Sequence, residues 1–233
     1  MKVLLIPILL SSIASSDTYI QNSVISNSII GNNIYSSSSS NKHSSFITKQ
    51  IILKEHFNKI HVNFPLELNI HKSFKNDIKL KIDKNFKNNI SFKVYNDTLH
   101  INLVGNINTR LRTKLTMGIS SFNELTLGNT THANIKGFNN KSLKLSVSGT
   151  AKVNFSDGSI ENLFLDAKGT SKIHLEKISI RNATITARGT SKTVINVSDN
   201  LNVNLFGISK VKYLGNPLIK KTLRNLGKLI KLK

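Results

Sequence analysis

The chain has 233 residues, 39% of them hydrophobic, which is long enough for one or two domains with a sizeable core. It contains no cysteine, and this excludes disulfides, thiolate metal sites, a catalytic thiol and an acylated cysteine anchor. The 33 basic and 12 acidic residues give a formal net charge of +21, which favours an anionic partner; the alternative is a compositional bias in which scattered lysines only solvate the exterior.

Residues 1–16 have the layout of a short secretory signal peptide. Lys2 precedes an apolar run at 3–10, and small residues follow; the alternative is a stretch with no targeting role. No later segment approaches the ~20 apolar residues needed to cross a bilayer. We therefore expect an exported protein of the periplasm, cell envelope or cell surface, with no transmembrane segment after the signal peptide. Residues 17–45 are mostly Ser and Asn and predict a flexible linker.

Residues 46–104 are predicted to form a strand-rich N-terminal region that is continuous with the repeats that follow. Apolar and polar residues alternate in five short segments, and a period of two is typical of strands with one buried face. These segments are 60–64, 66–70, 78–82, 90–94 and 99–103. The connections between them contain Asn-Asp and Asn-Asn pairs, which tolerate turn conformations.

Residues 105–217 repeat a phrase close to Gly-Thr-Ser-Lys. The spacings between the aligned turn positions are 20, 20, 20 and 18 residues, and these positions are Asn129, Gly149, Gly169, Gly189 and Gly207. Apolar residues alternate on both sides of each turn, which excludes helical repeats, and Asn is the non-glycine residue that best tolerates positive φ. The predicted fold class is all-β: a parallel β-helix, or β-solenoid, of about five coils of ~20 residues, preceded by the strand-rich region.

Stacked coils place side chains of equal offset in columns on the outside of a β-helix. One column is cationic and is the candidate site for an anionic ligand; its members are His132, Lys152, Lys172, Lys192 and Lys210. A second exposed column consists of Thr150, Thr170 and Thr190. Adjacent lysines repel by less than ~1 kcal/mol in water, so the cationic column needs no ligand to persist. We interpret it either as a track for a linear polyanion or as a solvated edge that resists aggregation.

Residues 218–233 form a basic C-terminal segment that predicts a cap over the last coil, or a tail. The apolar residues Ile219, Leu223, Leu226 and Ile230 have helical spacing. A basic amphipathic helix that touches an anionic membrane is therefore the alternative to a cap.

The chain contains no recognised catalytic or nucleotide-binding motif. None of its seven histidines forms an HExxH pattern, and the G-x-S-x-G, P-loop and dinucleotide fingerprints are absent. Asp157, Asp166 and Glu176 fall at different offsets and do not predict the facing carboxylates of a polysaccharide-cleaving β-helix. We therefore predict that the protein is not an enzyme and has no cofactor or metal site. Aromatic residues for base stacking are few, so no nucleic-acid partner is expected.

Three parts of the sequence carry a family resemblance. The repeat L-x-L-x-x-x-G-T-S-K, the opening segment 57–70 and the closing segment 201–217 with its Tyr-x-Gly-Asn-Pro ending resemble the family called putative auto-transporter adhesin, head GIN domain. The resemblance covers about 50–221 and implies an exported β-solenoid domain of uncharacterised function, with no catalytic residues. The chain departs from the family pattern at Asn129, where glycine is usual, at Phe206, where serine is usual, and in lacking a lipoprotein cysteine.

These features predict an exported, non-catalytic, adhesin-like protein that contacts an extended anionic partner. The candidate partners are an anionic glycan, an anionic lipid surface or another envelope protein, and the sequence indicates no oligomeric state. Two other functions stay open: a passive envelope scaffold or protein–protein assembly element, and a polysaccharide-acting β-helix enzyme. Binding of glycans or anionic lipid would distinguish the binding protein from the scaffold, whereas a cleft with two facing carboxylates would favour the enzyme.

Overall fold

The computed structural model describes residues 28–30, 33–35 and 45–233, and the chain divides into two units, 1–43 and 44–233. In the first unit, two short strands, β1 (Ser28–Ile30) and β2 (Asn33–Tyr35), pair antiparallel. This pair lies within the segment predicted to be a linker. The predicted signal peptide and the other residues of that linker, up to residue 44, lie outside the described residues.

The second unit is built around long strands that stack in parallel, each on the one before it. These strands are β11 (His132–Val147), β12 (Lys152–Ala167), β13 (Lys172–Ala187) and β14 (Lys192–Leu205), followed by β15 (Lys210–Leu214). Their register follows the sequence repeat, since Leu145 pairs with Leu165, which pairs with Ile185. The predicted parallel β-helix of about five coils is confirmed.

Apolar residues of equal offset pack in columns inside the stack. Leu145, Leu165, Ile185 and Val203 are register neighbours, and none is more than 3% exposed. Each fully buried aliphatic side chain contributes about 1.5–3 kcal/mol relative to an exposed one. The period-two alternation therefore produces one continuous core, while polar residues at the intervening offsets lie outside.

A four-residue corner precedes each of the strands β11 to β15. The corners are residues 128–131, 148–151, 168–171, 188–191 and 206–209. The backbone φ is 53° at Asn129, and at the four glycines of the same offset it lies between 71° and 76°. The corners also bond to one another, because the N–H of Thr170 donates to the carbonyl oxygen of Gly149 over 2.8 Å. The turn positions thus combine left-handed backbone with close stacking.

The N-terminal strands add two further layers to the same stack. Here β4 (Lys59–Val62) lies between β10 (Glu124–Leu127) and β8 (Thr98–Leu103), and all of these pairings are parallel. On the next side of the coil, β5 (Glu67–Lys72) lies between β11 and β9 (Lys114–Ile119). Strands are confirmed in this region, but the order in space differs from the order in the chain, because β8 and β9 lie on the far side of β4 and β5.

Antiparallel strands cover the N-terminal end of the stack. They are β3 (Phe46–Ile51), β6 (Asp77–Asp83) and β7 (Ile90–Tyr95), and a short 3-10 helix (Lys84–Phe86) lies between the last two. The pairings join β7 to β8, β6 to β9 and β3 to β6. The apolar residues of the bottom layer are covered as a result.

The C-terminal segment continues the stack as strands. β16 (Leu218–Leu223) pairs in parallel with β14, and β17 (Lys228–Lys231) pairs in parallel with β15. The alternative of an amphipathic helix is therefore wrong, and the strands satisfy backbone groups that β14 and β15 would otherwise leave unpaired. Within the described part of the chain, no helix has the length and apolar character needed to cross a bilayer.

Candidate functional site

The predicted lysine column lies at the start of the long strands, directly after the corners. His132 pairs in register with Lys152, and successive pairings then join Lys172, Lys192 and Lys210. The structure therefore places all five candidate residues in one column at a strand spacing of about 4.8 Å. Lys172 and Lys192 are exposed, and the other members are partly buried.

The column extends beyond the residues that the repeat indicated. Lys228 of β17 pairs in register with Lys210 and is exposed. The sequence contained a signal for it, because Asn225 stands eighteen residues after Gly207 and has a φ of 60°, as at the first corner. The tail lacks the Gly-Thr-Ser-Lys phrase, and its helical spacing concealed the repeat. We use "lysine column" below for Lys152, Lys172, Lys192, Lys210 and Lys228.

An acidic residue stands below His132 and limits the column. Glu67 pairs in register with His132 on one side and with Lys114 on the other. Its Oε1 lies 2.9 Å from Nζ of Lys114 and accepts a hydrogen bond of 3.2 Å from Asn69. The hydrogen bond from Lys114, and then that from Asn69, lowers the pKa of Glu67. Glu67 is thus ionised and paired with the lysine below it.

The lysine column carries uncompensated charge. None of its five members takes part in the ion pairs formed within residues 45–233. Other surface cations do have partners: Nζ of Lys144 lies 3.0 Å from Glu124, and Asp166 lies within 3.0 Å of both Arg188 and Lys168. The corner that carries the lysine column is therefore strongly cationic, while Lys144, Lys168 and Arg188 each lie beside a carboxylate.

The threonine column runs along the corners beside the lysines. Thr150, Thr170 and Thr190 are exposed, and Oγ1 of Thr190 donates to Oγ1 of Thr170 over 3.2 Å. The same offset holds Thr130 in the corner below, and it holds Ile208 and Leu226 in the last two corners. Hydroxyl donors and acceptors therefore line the lower and middle parts of the cationic corner.

The acidic residues considered for catalysis do not converge. Asp166 is bound by Arg188 and Lys168. Oε1 of Glu176 lies 3.3 Å from Nδ1 of His174, and both of these residues belong to β13. Asp157 lies within β12 and has a φ of 62°. Within the described ranges, no three His, Asp or Glu side chains are placed to hold a metal ion.

Fold and site together define a parallel β-solenoid that is covered at one end by antiparallel strands and carries a cationic column along one corner. Residues 56–217 match the family described as putative auto-transporter adhesin, head GIN domain, and this chain belongs to that family. The match confirms the resemblance seen in the repeat and in the closing segment. None of the functionally curated proteins matches the chain.

Solved structures share the architecture at low sequence identity. A putative adhesin from Bacteroides fragilis NCTC 9343 is 17% identical with a TM-score of 0.56, over 80% of this chain and 95% of that one. A putative lipid binding protein from Parabacteroides distasonis ATCC 8503 is 15% identical with a TM-score of 0.54, over 82% and 98%. A putative adhesin from Parabacteroides merdae ATCC 43184 is 15% identical with a TM-score of 0.50, over 82% and 98%. These similarities establish the common fold.

Proposed function

We propose that the protein is an exported, non-catalytic binding protein of the cell envelope that holds a linear polyanion along its lysine column. Membership of an adhesin-type family supports a surface-binding role. The observation that carries the proposal is the register of the lysine column, which stacks five lysines with no acidic partner in the described residues. A linear array of equal charges matches a linear ligand better than a compact one.

The geometry of the column is suited to a polymer with regularly spaced carboxylate, sulfate or phosphate groups. Five lysines at one strand spacing extend over about 20 Å, so a chain with a charge every ~5 or ~10 Å meets every lysine or every second one. Each exposed contact is weak and is screened by salt, but contacts along one chain act together. The flexible lysine tips adapt to small mismatches in spacing.

The threonine column contributes to the same surface. Its hydroxyls lie on the same corner as the lysines and can donate to or accept from polar groups of the polymer. Such hydrogen bonds would orient the polymer on the surface, which attraction between charges alone does not do. The ligand class that fits best is therefore an anionic glycan or a polyol phosphate, whose repeating units carry both charges and hydroxyls.

The test compares two variants that lose the same number of charges. The column variant carries Lys152→Gln, Lys172→Gln and Lys192→Gln, and the control carries the same change at the exposed residues Lys75, Lys93 and Lys141, which lie away from the column. Binding of heparin and of a teichoic-acid-like polymer is measured calorimetrically at several salt concentrations. We expect the column variant to bind at least tenfold more weakly than the control and to show a smaller salt dependence.

The alternative of a passive scaffold predicts a different result. Equal affinities for the two variants would show that the lysine column is a solvated edge, and absence of binding to either polymer at physiological salt would refute the polyanion track. Export is tested separately, by sequencing the N terminus of the protein recovered from the envelope fraction. Cleavage close to residue 16 is expected.

A further inference from the structure

The corner that carries the two columns has the same length in every layer except one. It spans four residues at 63–66, 128–131, 148–151, 168–171, 188–191, 206–209 and 224–227. Between β8 and β9 the equivalent connection is residues 104–113, which we call the corner loop. Insertions in repeat proteins map to loops on one face, which is often the binding face. This loop stands on the same corner as the columns, at their lower end.

A cavity of about 350 Å³ lies between the corner loop and the corner 63–66. Its floor is apolar and includes Phe64 and Leu66, which are buried, and Leu103, Ile107 and Leu111, which are partly buried. Two arginines of the loop, Arg110 and Arg112, also line it. The cavity therefore combines an apolar floor with two cationic groups, and this volume lies in the range of small-molecule pockets.

The two arginines are available to a ligand. Neither guanidinium forms a hydrogen bond or a close ion pair with another residue in 45–233, and both side chains are exposed. No acidic residue lines the cavity. Glu67, which lies in register below His132, already binds Lys114 over 2.9 Å. The charge of Arg112 also contributes to the lowered pKa of Glu67, as the last of its causes. Arg110, Arg112 and Lys114 therefore outnumber the one carboxylate beside the cavity, and its net charge is positive.

The corner loop is anchored at its middle, so the cavity is formed before any ligand binds. Oγ1 of Thr109 donates to Oδ2 of Asp83 over 2.7 Å and accepts from the N–H of Leu111 over 3.1 Å. Asp83 is only 1% exposed, which ties the loop to the core rather than to solvent. Thr109, the residue that forms both bonds, lies between the apolar residue Ile107 and Arg110. Pre-ordering of this kind reduces the entropy lost on binding.

We propose that this cavity binds a compact amphipathic anion, with a carboxylate or phosphate group held by Arg110 and Arg112 and an apolar body packed on the floor. At ~30 Å³ for each water-sized group, the cavity holds about a dozen heavy atoms. The forked guanidinium groups pair with either oxyanion. A purely polar anion leaves the apolar floor uncovered, and a neutral apolar molecule leaves both charges unpaired.

The experiment uses the full chain and ligands that test the two arginines and the apolar floor of the cavity separately. Isothermal titration with decanoate and with decyl phosphate, both below their micelle concentrations, compares the two headgroups. Decanol and acetate serve as controls that lack the charge or the apolar body. We expect saturable one-to-one binding of at least one amphipathic anion, with both controls at least tenfold weaker. The ligand that binds more tightly shows whether the cavity prefers a carboxylate or a phosphate group.

Variants locate the binding site. Arg110→Gln with Arg112→Gln is expected to weaken binding at least tenfold, whereas Arg181→Gln with Arg224→Gln, which removes two exposed arginines elsewhere, leaves it unchanged. Ile107→Trp fills the cavity and is expected to abolish binding with β-sheet circular dichroism retained. Equal losses in the two arginine pairs, equal affinity for decanol and decanoate, or no saturable binding would each overturn the proposal. The polymer experiment on the lysine column is independent, so either proposal can fail alone.

Discussion

The corner glycines meet two separate requirements at the scale of a single residue. Gly169 has a φ of 71°, and a Cβ placed on it would lie 2.7 Å from the carbonyl oxygen of Gly149 in the coil below. Gly105, in the corner loop, has the same φ of 71°, but the nearest atom to its Cβ position, Nδ2 of Asn89, is 3.5 Å away. Comparison of Gly169 with Gly105 therefore distinguishes two energetic costs of adding a side chain: that of the left-handed backbone and that of the close contact between coils.

Gly169→Ala is expected to destabilise the protein more than Gly105→Ala does. The left-handed backbone costs alanine about 1–2 kcal/mol at either position, and only the corner position adds a steric clash. The free energy of unfolding, measured by chemical denaturation, should fall by more than about 2 kcal/mol for Gly169→Ala. Equal losses would mean that the contact between coils imposes no constraint of its own.

A column of small buried residues follows the corners on the inner side. Ala151, Ser171, Ser191 and Ser209 share one offset and are each 0% exposed. Within the described chain, Oγ of each of the three serines has no hydrogen-bond partner. Thr131, at the same offset in the first corner, differs because its Oγ1 lies 2.7 Å from the carbonyl oxygens of both Phe64 and Gly128.

Ser191→Ala is expected to raise the free energy of unfolding by roughly 1 kcal/mol, because it removes a buried hydroxyl that has no partner. Alanine is already accommodated at this offset by Ala151. Thr131→Ala is the matched change, and it should lower stability because it deletes a bonded hydroxyl and leaves a small cavity. Denaturant unfolding of the two variants should give opposite signs, and a destabilised Ser191→Ala variant would contradict the prediction.

At the scale of the element, the pairing of β5 with β9 brings the acid of the cationic corner next to a lysine. Oε1 of Glu67 lies 2.9 Å from Nζ of Lys114, and this hydrogen bond is the main cause of the lowered pKa of Glu67, followed by the bond from Asn69. Because the pKa is lower in the folded state, the ionised carboxylate stabilises the fold. That contribution is complete above the ordinary value of 4.5 and is lost as the pH falls through the lowered pKa.

Glu67→Gln is therefore expected to destabilise the protein at neutral pH and to lose this effect in acid. Thermal melting of both proteins between neutral and strongly acidic pH should give a difference that is largest above the ordinary pKa and vanishes at the acid end. Lys114→Gln removes the main cause of the shift, so the same Glu67 substitution should have a weaker pH dependence in that background. A difference that is independent of pH would show that the carboxylate does not interact as described.

At the scale of the whole molecule, the two ends of the stack differ. Antiparallel strands cover the N-terminal end, whereas all six residues of β16 at the other end are exposed. Lys221 occupies the inward register of Val203, and Lys231 occupies that of Tyr213. A charged residue at an inward position of an edge strand opposes the addition of another strand. These lysines interrupt the apolar columns at the open edge, and we expect them to oppose pairing of that edge with a second molecule.

Lys221→Val is expected to promote end-to-end association, because it restores the apolar column at the open edge. Lys220→Val is the control, since it removes the same charge from the outward position of the same strand and is in register with Asn202. Sedimentation velocity at physiological salt should show larger species for the inward substitution alone. Identical sedimentation of the two variants would show that the direction of the side chain does not matter.

Local patterns predicted the elements and their stacking within the repeat. Alternation of apolar residues defines which face of a strand is buried, and a turn that needs positive φ selects Gly or Asn, as at Asn129 and Gly149. The same reasoning left a cap and an amphipathic helix open at the C terminus, because Ile219 and Leu223 fit both a helical spacing and a period of two. Strand pairing decided the outcome, because Ile219 and Leu223 lie in register with the core residues Leu201 and Leu205.

The sequence alone determined the β-solenoid and most of the lysine column, because both depend on residues of equal offset in a repeat. Only the tertiary structure decided that β4 lies between β8 and β10, and that the corner loop and the corner 63–66 together form a cavity. Such contacts join segments that are far apart in the chain and carry no shared local pattern. These contacts depend on which strand edges of the stack remain unpaired, and that is determined only when the whole chain has folded.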